Sequence, residues 1–383
     1  MQPPHPKRRH RGRPRGRPRA LLVLFAVVFG FILSAVLIEV GGQIYASFHP
    51  SYWGLFFKPD PVLGWRLYPG LRWNSTGTFW YQRDFNVPIQ INSQGFRDLE
   101  RTSEKPPGVV RIALLGDSLV EAIQVRFEET AAQVLETKLN EHAQGQDGKR
   151  YEVLNFGISN FGIGQFLLTW ENEAQRYDPD YVVMLVSSLH MNRTVIPFHA
   201  RLRIRPIFRI MDGELERVPP RDYEKFVKRQ ERTIQTRLNG HRIGKMNRRS
   251  FIGSHLVALR GGRGAPMGKA KNPTIFKVKP KVYEVNLELL KEFERETRNA
   301  GSQLGIVDSF TYFNSITEEE SVKLRDFCRE QGIGHIPLSP LLLEAVETGN
   351  SPRFKYDAHY NDVGNALFAQ VVYDWIVARE EAP

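Results

Sequence analysis

The nine residues VRIALLGDS (Val110–Ser118) decide the fold of this chain. A short, mostly apolar run that ends at Gly116 is typical of a strand buried on both faces of a parallel sheet. Polar residues that directly follow such a strand lie at the carboxyl edge of the sheet, where open α/β sheets form their active sites. The search for a functional site therefore begins at Asp117 and Ser118.

Strand and helix patterns alternate along the rest of the chain. Further strands are predicted at Tyr151–Asn155, Tyr181–Ser187, Leu304–Ser309 and around His335–Leu338, and helices at Glu128–His142, Gly164–Arg176, Tyr283–Ala300, Thr317–Gln331 and Val363–Ala378. This alternation predicts an α/β fold with a parallel sheet covered by helices on both faces. The single cysteine, Cys328, permits no intramolecular disulfide and no cysteine-rich zinc site, and we expect neither a metal nor an organic cofactor.

The first forty residues predict where the protein resides. Ala20–Ile38 (ALLVLFAVVFGFILSAVLI) carries no charge and is close to the length needed to cross a bilayer. Eight basic residues precede it: Lys7, Arg8, Arg9, Arg11, Arg13, Arg15, Arg17 and Arg19. Because basic flanks stay in the cytoplasm, we expect a single-pass membrane anchor with residues from about 45 onward outside the cytoplasm. A cleaved signal peptide is the alternative, and it would export the same residues.

The net charge of +11 is unevenly distributed. The basic arm and a basic insertion at about 201–282, which carries roughly +16, leave an acidic remainder. That distribution, without a helix-turn-helix, zinc-finger or ribonucleoprotein signature, argues against nucleic-acid binding. The insertion is either a solvated face or a rim that attracts an anionic polymer, such as an acidic polysaccharide or the lipid headgroup layer.

The expected domain organisation has four segments. They are a basic cytoplasmic arm (1–19), a transmembrane anchor (20–44), a preface of strands and turns packed on the main domain (45–105), and an α/β domain (106–383) that contains the insertion. The preface contains four tryptophans, Trp53, Trp65, Trp73 and Trp80. They pack the preface on the domain, rest at the membrane interface, or form a sugar-stacking surface.

Polar motifs follow three of the predicted strands, and a fourth precedes the last helix. They are Gly116–Ser118 (GDS), Asn155–Asn160 (NFGISN), Ser187–Asn192 (SSLHMN) and Asp357–Asn361 (DAHYN). Acyl transfer needs a hydroxyl nucleophile, an imidazole that accepts its proton, a carboxylate that orients the imidazole, and donors for the oxyanion. Ser118, His359 and Asp357 supply the first three. Without the distal pair, the GDS motif would indicate little more than a helix cap.

On these motifs the chain resembles the SGNH (GDSL-type) hydrolase family over about Val110–Ala378, apart from the basic insertion. The GDS motif is similar to the nucleophile block of that family, and the DAHYN motif to an Asp-x-His-x-Asn form of its last block. The resemblance implies a flavodoxin-like three-layer α/β/α sandwich. It also implies that Ser118 is the nucleophile, His359 the general base and Asp357 the acid that orients it.

Two blocks depart from the family pattern. Asn160 stands where the second block has a glycine whose backbone N–H enters the oxyanion hole. His190 stands where the third block has an asparagine, with Asn192 two residues later. The expected oxyanion donors are therefore Ser118 and Asn160, assisted by His190 or Asn192. Loss of one such donor typically costs about a hundredfold in rate, so the change also admits altered chemistry.

The sequence thus predicts a membrane-anchored, extracytoplasmic serine esterase that removes acyl groups from a cell-envelope glycan or lipid. Two alternatives stay open. The same triad can act as an O-acyltransferase that moves the acyl group onto a polysaccharide hydroxyl, since the two reactions differ in how well water is excluded from the acyl-enzyme. The altered blocks also admit a catalytically silent glycan-binding protein with the same fold.

Overall fold

The computed structural model describes residues 17–48, 56–76, 84–144, 149–197, 204–220, 223–240, 278–309, 311–312, 315–316 and 318–381. The expected positions of Trp53 and Trp80, residues 1–16 of the basic arm and residues 241–277 of the insertion lie outside the described residues. The chain divides into two units. One comprises Met1–Ser51 with Arg237–Arg263, and the other Tyr52–Thr236 with Gly264–Pro383.

Helix α1 (Arg17–Phe48) belongs to the first unit. It contains the 26-residue segment Arg19–Ile44, in which an 18-residue stretch reaches a mean hydropathy of 3.1, and the large apolar side chains of the segment are exposed. At about 1.5 Å per residue, a helix of this length exceeds the roughly 30 Å hydrocarbon core of a bilayer. By length and composition, α1 fits a membrane anchor or a signal sequence.

After α1 the chain forms short strands and helices. The strands are β1 (Phe57–Asp60), β2 (Gly64–Leu67), β3 (Arg72–Thr76), β4 (Asn86–Gln90), β5 (Val109–Leu115), β6 (Arg150–Asn155), β7 (Tyr181–Val186), β8 (Ile207–Met211), β9 (Glu214–Val218), β10 (Gln303–Asp308), β11 (Thr311–Tyr312), β12 (Ser315–Ile316) and β13 (Gly334–Pro337). The helices are α2 (Ser118–Glu121), α3 (Ala131–His142), α4 (Ile163–Thr169), α5 (Ser188–Thr194), α6 (Tyr223–Gly240), α7 (Pro280–Asn299), α8 (Glu318–Gln331), α9 (Ser339–Glu347) and α10 (Asp362–Glu380).

Five of the strands form one parallel sheet in the order β6–β5–β7–β10–β13. Counted along the chain, this order is 2-1-3-4-5, which is the flavodoxin-like arrangement. The order reverses beside β5, and such a reversal opens a crevice at the carboxyl ends of the strands. The predicted α/β class with a parallel sheet is confirmed.

Alternate side chains of the sheet enter two separate cores. On β5, Ala113 and Leu115 belong to one core, whereas Ile112 and Leu114 belong to the other. The first core is completed by α4, α7, α8 and the preface hairpins, and the second by α3, α9 and α10. Because successive strand residues point to opposite faces, this pattern produces a sandwich of three layers.

The preface forms two antiparallel hairpins, β1–β2 and β3–β4. Val87 and Ile89 of β4 are buried in the first core, and the residues between and beside them are exposed. Trp65 is also buried in that core, and Trp73 stacks on Phe56 with ring centroids 4.3 Å apart. Both described tryptophans of the preface therefore have packing partners within the unit.

The described part of the basic insertion begins with a third hairpin, β8–β9, which turns at Asp212 and Gly213. Phe208 of this hairpin is buried and lies against the backbone of Gly164 in α4. A side chain at Gly164 would lie 2.3 Å from the Phe208 ring. The start of the insertion is therefore packed on the sandwich.

Asp98 is a largely buried carboxyl group whose protonation state affects the stability of the fold. Its Oδ2 accepts a hydrogen bond from Asn155 N, at the end of β6, at 3.1 Å. Burial, opposed by the charge of Arg101, raises the pKa of Asp98 to about 7. A carboxyl group with a raised pKa stabilises the fold below its unfolded pKa of about 4, and that stability is lost as the pH rises through the folded value.

We therefore expect Asp98→Asn to cost less thermal stability at about pH 8 than at about pH 5, since only the parent chain must ionise a buried group. Tm values of the two full-length chains in detergent across this range measure the difference. Leu99→Ala removes an exposed, uncharged neighbour and is the control, because its Tm difference from the parent should not vary with pH. A constant difference for Asp98→Asn as well would contradict the raised pKa.

Candidate active site

Ser118 is the first residue of α2 and is half-exposed at the carboxyl edge of the sheet. β5 ends at Leu115, and the chain turns through Gly116 directly into this helix. The helix cap is Asp117, whose carboxylate accepts a hydrogen bond from Leu119 N at 3.0 Å. Capping by Asp117 leaves the Ser118 hydroxyl available for another partner.

That partner is His359, on the loop before α10. Its Nε2 lies 2.8 Å from Ser118 Oγ, and its Nδ1 donates to Asp357 Oδ1 at 2.5 Å. The same carboxylate oxygen accepts a hydrogen bond from the backbone N of His359 at 2.9 Å. The structure thus brings the three expected triad residues into one hydrogen-bonded chain, although His359 lies 241 residues after Ser118 in the sequence.

The charge of Asp357 is maintained against burial. Burial alone would raise the pKa of Asp357, but the hydrogen bonds and charge of His359, with the nearby Arg353, lower it below its ordinary value. Asp357 is therefore a carboxylate at neutral pH. A carboxylate in this position fixes the imidazole tautomer and stabilises the imidazolium that forms when the ring accepts a proton.

The loop that carries Asp357 and His359 is held at both its base and its tip. At the base, Arg353 and Tyr360 form an antiparallel bridge. Tyr360 is buried, and its hydroxyl lies 2.6 Å from Ser309 Oγ, just beyond β10. Near the tip, Tyr356 N donates to Asp84 Oδ2 of the preface at 2.6 Å. These contacts fix the position of the His359 ring relative to Ser118.

Asn160 lies in the turn after β6 with φ +67°. Glycine adopts this left-handed region most easily, and asparagine is one of the few other residues that do so at low cost. This conformation explains how asparagine can occupy a position that is glycine in the family the chain resembles. Among the described residues, neither Asn160 N nor Ser118 N has a hydrogen-bond acceptor. Both N–H groups are therefore candidate oxyanion donors.

The residue before Asn160 anchors this turn. Glu121 of α2 accepts hydrogen bonds from Ser159 N at 2.8 Å and from the Ser159 hydroxyl. On the other side, Trp65 Nε1 of the preface donates to Ser159 O at 3.2 Å. A Cβ at Gly157 would lie 2.3 Å from Glu121 N, so only glycine permits the turn to approach α2 this closely.

His190 is buried, and both of its ring nitrogens have partners. Nε2 lies 3.1 Å from Asp117 Oδ2, and Nδ1 lies 3.2 Å from Ser187 Oγ. These contacts do not support the expectation that His190 donates to an oxyanion. Asn192 lies on the same helix, half-buried, and its side chain has no hydrogen-bond partner in the described ranges.

Arg193 is a residue of the site that sequence reasoning missed. Its Nη1 donates to Asp117 Oδ2 at 2.6 Å, the same oxygen that His190 contacts. Burial alone would raise the pKa of Asp117, but the charges and hydrogen bonds of His190 and Arg193 hold it far below its ordinary value. The available signal was the spacing of His190 and Arg193, three residues apart, which places them on one face of a helix.

One acidic cluster lies outside this site. The carboxylates of Glu171, Glu292 and Glu296 approach within 4.8 Å of one another. Burial and the two neighbouring carboxylates raise the pKa of Glu296. Arg217 contacts Glu171 and supplies a counter-charge. We assign no metal-binding role to these residues.

No family model matches this sequence, and no curated protein matches it. Solved structures to which the fold is similar include a lipase/acylhydrolase from Enterococcus faecalis, with 14% identity, a TM-score of 0.38 and coverage of 70% of this chain and 96% of that one. An acetylxylan esterase from Geobacillus stearothermophilus has 11% identity and a TM-score of 0.39, and the match covers 70% of this chain and 94% of that one. A psychrotrophic esterase from Pseudoalteromonas has 12% identity and a TM-score of 0.38, and the match covers 71% of this chain and 99% of that one. Likeness at this level does not extend to a shared activity, so the function has to be inferred from the site itself.

The contact between Asp357 and His359 predicts the effect of removing the carboxylate charge. Asp357→Asn keeps the size of the side chain but no longer stabilises the imidazolium. We expect the rate at which a fluorophosphonate modifies Ser118 to fall on the order of 10³-fold to 10⁴-fold. Asp362→Asn, at the exposed first residue of α10, is the matched control and should react as the parent does. Parent-like labelling of Asp357→Asn would exclude Asp357 from the reaction.

Proposed function

We propose that this protein is a serine esterase whose nucleophile is Ser118. The observation that carries the proposal is the hydrogen-bonded chain from Ser118 Oγ through the His359 ring to Asp357. A hydroxyl beside an imidazole whose other nitrogen is held by a carboxylate is the arrangement that activates serine for acyl transfer.

In the proposed reaction, His359 Nε2 accepts the proton of Ser118 as Oγ attacks the carbonyl carbon of an ester. The tetrahedral intermediate collapses, and the alcohol leaves with the proton that His359 returns to it. Water then attacks the acyl-enzyme, with His359 again as the base, and releases the acid and the free serine. Asp357 stays ionised throughout and stabilises the imidazolium in both steps.

The negative oxygen of the intermediate would be held by backbone donors. Ser118 N and Asn160 N supply them, because neither has an acceptor among the described residues. The side chain of Asn192 is the third candidate. His190 is assigned to Asp117 instead, since its ring contacts that carboxylate. Each donor aimed at the oxyanion is worth about a hundredfold in rate.

We also propose that α1 anchors the protein in the cell membrane, with the N-terminus in the cytoplasm and Ser118 outside it. The support is the apolar length of α1 and the basic residues that precede it. An esterase held at that surface meets acylated glycans and lipids of the cell envelope, and we propose these as its substrate class. The basic insertion would favour an anionic polymer as the carrier of the acyl group.

Removal of the Ser118 hydroxyl tests the proposed chemistry. We expect the full-length chain in detergent to hydrolyse an activated acyl ester and to be modified by a fluorophosphonate, and Ser118→Ala to do neither. Ser188→Ala, in a half-exposed serine of α5, is the matched control. A folded parent chain that neither reacts nor is labelled would favour a silent glycan-binding protein, and labelling that persists in Ser118→Ala would identify another nucleophile.

The same assay separates hydrolysis from transfer when an acetylated donor ester is supplied with an envelope polysaccharide as acceptor. An esterase releases free acid at a rate that the polysaccharide does not reduce. Acylated polysaccharide formed at the expense of free acid would assign the protein as an O-acyltransferase.

The proposed topology predicts which face of the membrane exposes the α/β domain. Protease added to spheroplasts of an expressing bacterium should digest residues beyond α1, because they would lie outside the cytoplasmic membrane. Inverted membrane vesicles should protect them, and a cytoplasmic protein serves as the control for intact spheroplasts. Digestion only in the inverted vesicles would overturn the orientation.

A further inference from the structure

A single nitrogen atom of Arg193 contacts both sides of the proposed oxyanion site. Nη1 donates to Asp117 Oδ2 at 2.6 Å and to Phe161 O at 3.0 Å. Asp117 directly precedes Ser118 in the chain, and Phe161 directly follows Asn160. Arg193 therefore binds one residue adjacent to each proposed oxyanion donor, Asp117 beside Ser118 and Phe161 beside Asn160.

The two acceptors control the two donors in different ways. Asp117 caps α2 through Leu119 N, so its carboxylate fixes the first turn of the helix, where the N–H of Ser118 lies. Asn160 has a left-handed backbone conformation, and the carbonyl of Phe161 follows it in the chain. The hydrogen bond from Arg193 to this carbonyl limits rotation of the neighbouring peptide groups. Backbone N–H groups stabilise an oxyanion only if their directions are set before the reaction.

On this geometry we infer that Arg193 is a positioning residue for the oxyanion site, and that His190 assists it by holding the same carboxylate. The inference rests on the proposed function. It replaces the side-chain donor expected at His190 with an indirect role, in which a polar cluster of Asp117, His190 and Arg193 orients two backbone donors. Arg193 itself does not touch the reacting atoms.

Arg193 is held in place from behind. A Cβ atom added at Gly162 would lie 2.7 Å from the Cβ of Arg193. The aliphatic part of the arginine therefore packs directly on the backbone at Gly162. Its carbonyl accepts a hydrogen bond from Arg205 Nη1 at 3.2 Å, and the Arg205 guanidinium lies 5.2 Å from the ring centroid of Trp65. Since the head group is also largely buried, it has little freedom to turn away from the two acceptors.

Arg193→Met in the full-length chain in detergent tests the inference, because methionine keeps an unbranched stem and removes both hydrogen bonds. A fluorophosphonate titrates the active sites, so that kcat refers to reactive enzyme only. We expect kcat per active site to fall about a hundredfold, the loss typical of small misplacement of catalytic groups, with KM nearly unchanged. The affinity for a trifluoromethyl ketone, which binds as a Ser118 hemiketal alkoxide, should fall in proportion to kcat/KM. Arg193→Lys, which retains the charge, should recover part of both losses.

Arg295→Met, on the exposed face of α7, is the matched control and should change neither quantity. A merely structural role for Arg193 would lower the number of active sites or the Tm but leave kcat per site and the inhibitor affinity at parent values. That result would overturn the inference. If the parent chain itself is not labelled at Ser118, the proposed function fails instead, so the two failures are distinguishable.

A pair of substitutions at His190 tests the same cluster even where Arg193→Met does not fold. The amide nitrogen of glutamine can replace Nε2, which contacts Asp117, whereas that of asparagine replaces Nδ1, which faces Ser187. We therefore expect His190→Gln to retain more activity per site than His190→Asn. The reverse order would indicate that position 190 donates directly to the oxyanion, as asparagine does in the family the chain resembles, and would overturn the inference.

Discussion

The hydrogen bonds between β5 and β6 continue beyond the ends of the strands. Phe156 N donates to Leu114 O at 2.9 Å, and Ile158 N donates to Gly116 O at 3.2 Å. These bonds keep the two turns after the strands side by side, and the absence of a side chain at Gly157 allows them to touch. Ser118 and Asn160 lie on these two turns, so their relative position derives from the parallel pairing of the sheet.

Helix α2, which begins at Ser118, cannot be stable alone, because a single turn fixes several residues for one hydrogen bond. Its backbone groups and those of the residues that follow it are therefore satisfied from outside. Asn155 Nδ2 donates to Val120 O at 2.9 Å, and buried Arg97 donates to Ala122 O and to Val125 O. Burial, offset by acidic neighbours, lowers the pKa of Arg97 to about 10, so the guanidinium stays charged at neutral pH. Polar side chains thus hold this turn in place beneath the Ser118 hydroxyl.

The parts of this site that are predictable from sequence are those with a local signature. Strands β5, β7 and β10 are mainly apolar runs, because they are buried on both faces. The GDS and DAHYN motifs combine chemically distinctive residues directly before a helix. The role of His190 has no such signature, since it depends on which way the ring turns from α5 towards Asp117. Arg193 is one of 53 lysines and arginines, and only its contact with Phe161 O and Asp117 distinguishes it from a surface charge.

The choice between water and a sugar hydroxyl as the acceptor lies in different residues from those that activate the serine. An esterase and an acyltransferase require the same hydrogen-bonded chain beneath the acyl group, but they differ in what covers it. In this protein the histidine loop and the preface meet at the site, with Phe354 and Phe85 ring centroids 5.1 Å apart and Tyr356 N bonded to Asp84. These segments lie outside the sheet that fixes Ser118. Because Asp84 also holds the loop that carries His359, a change in the preface that altered the acceptor would act on the position of the histidine as well. The hydrogen-bonded chain itself is common to both activities, so it cannot by itself distinguish them.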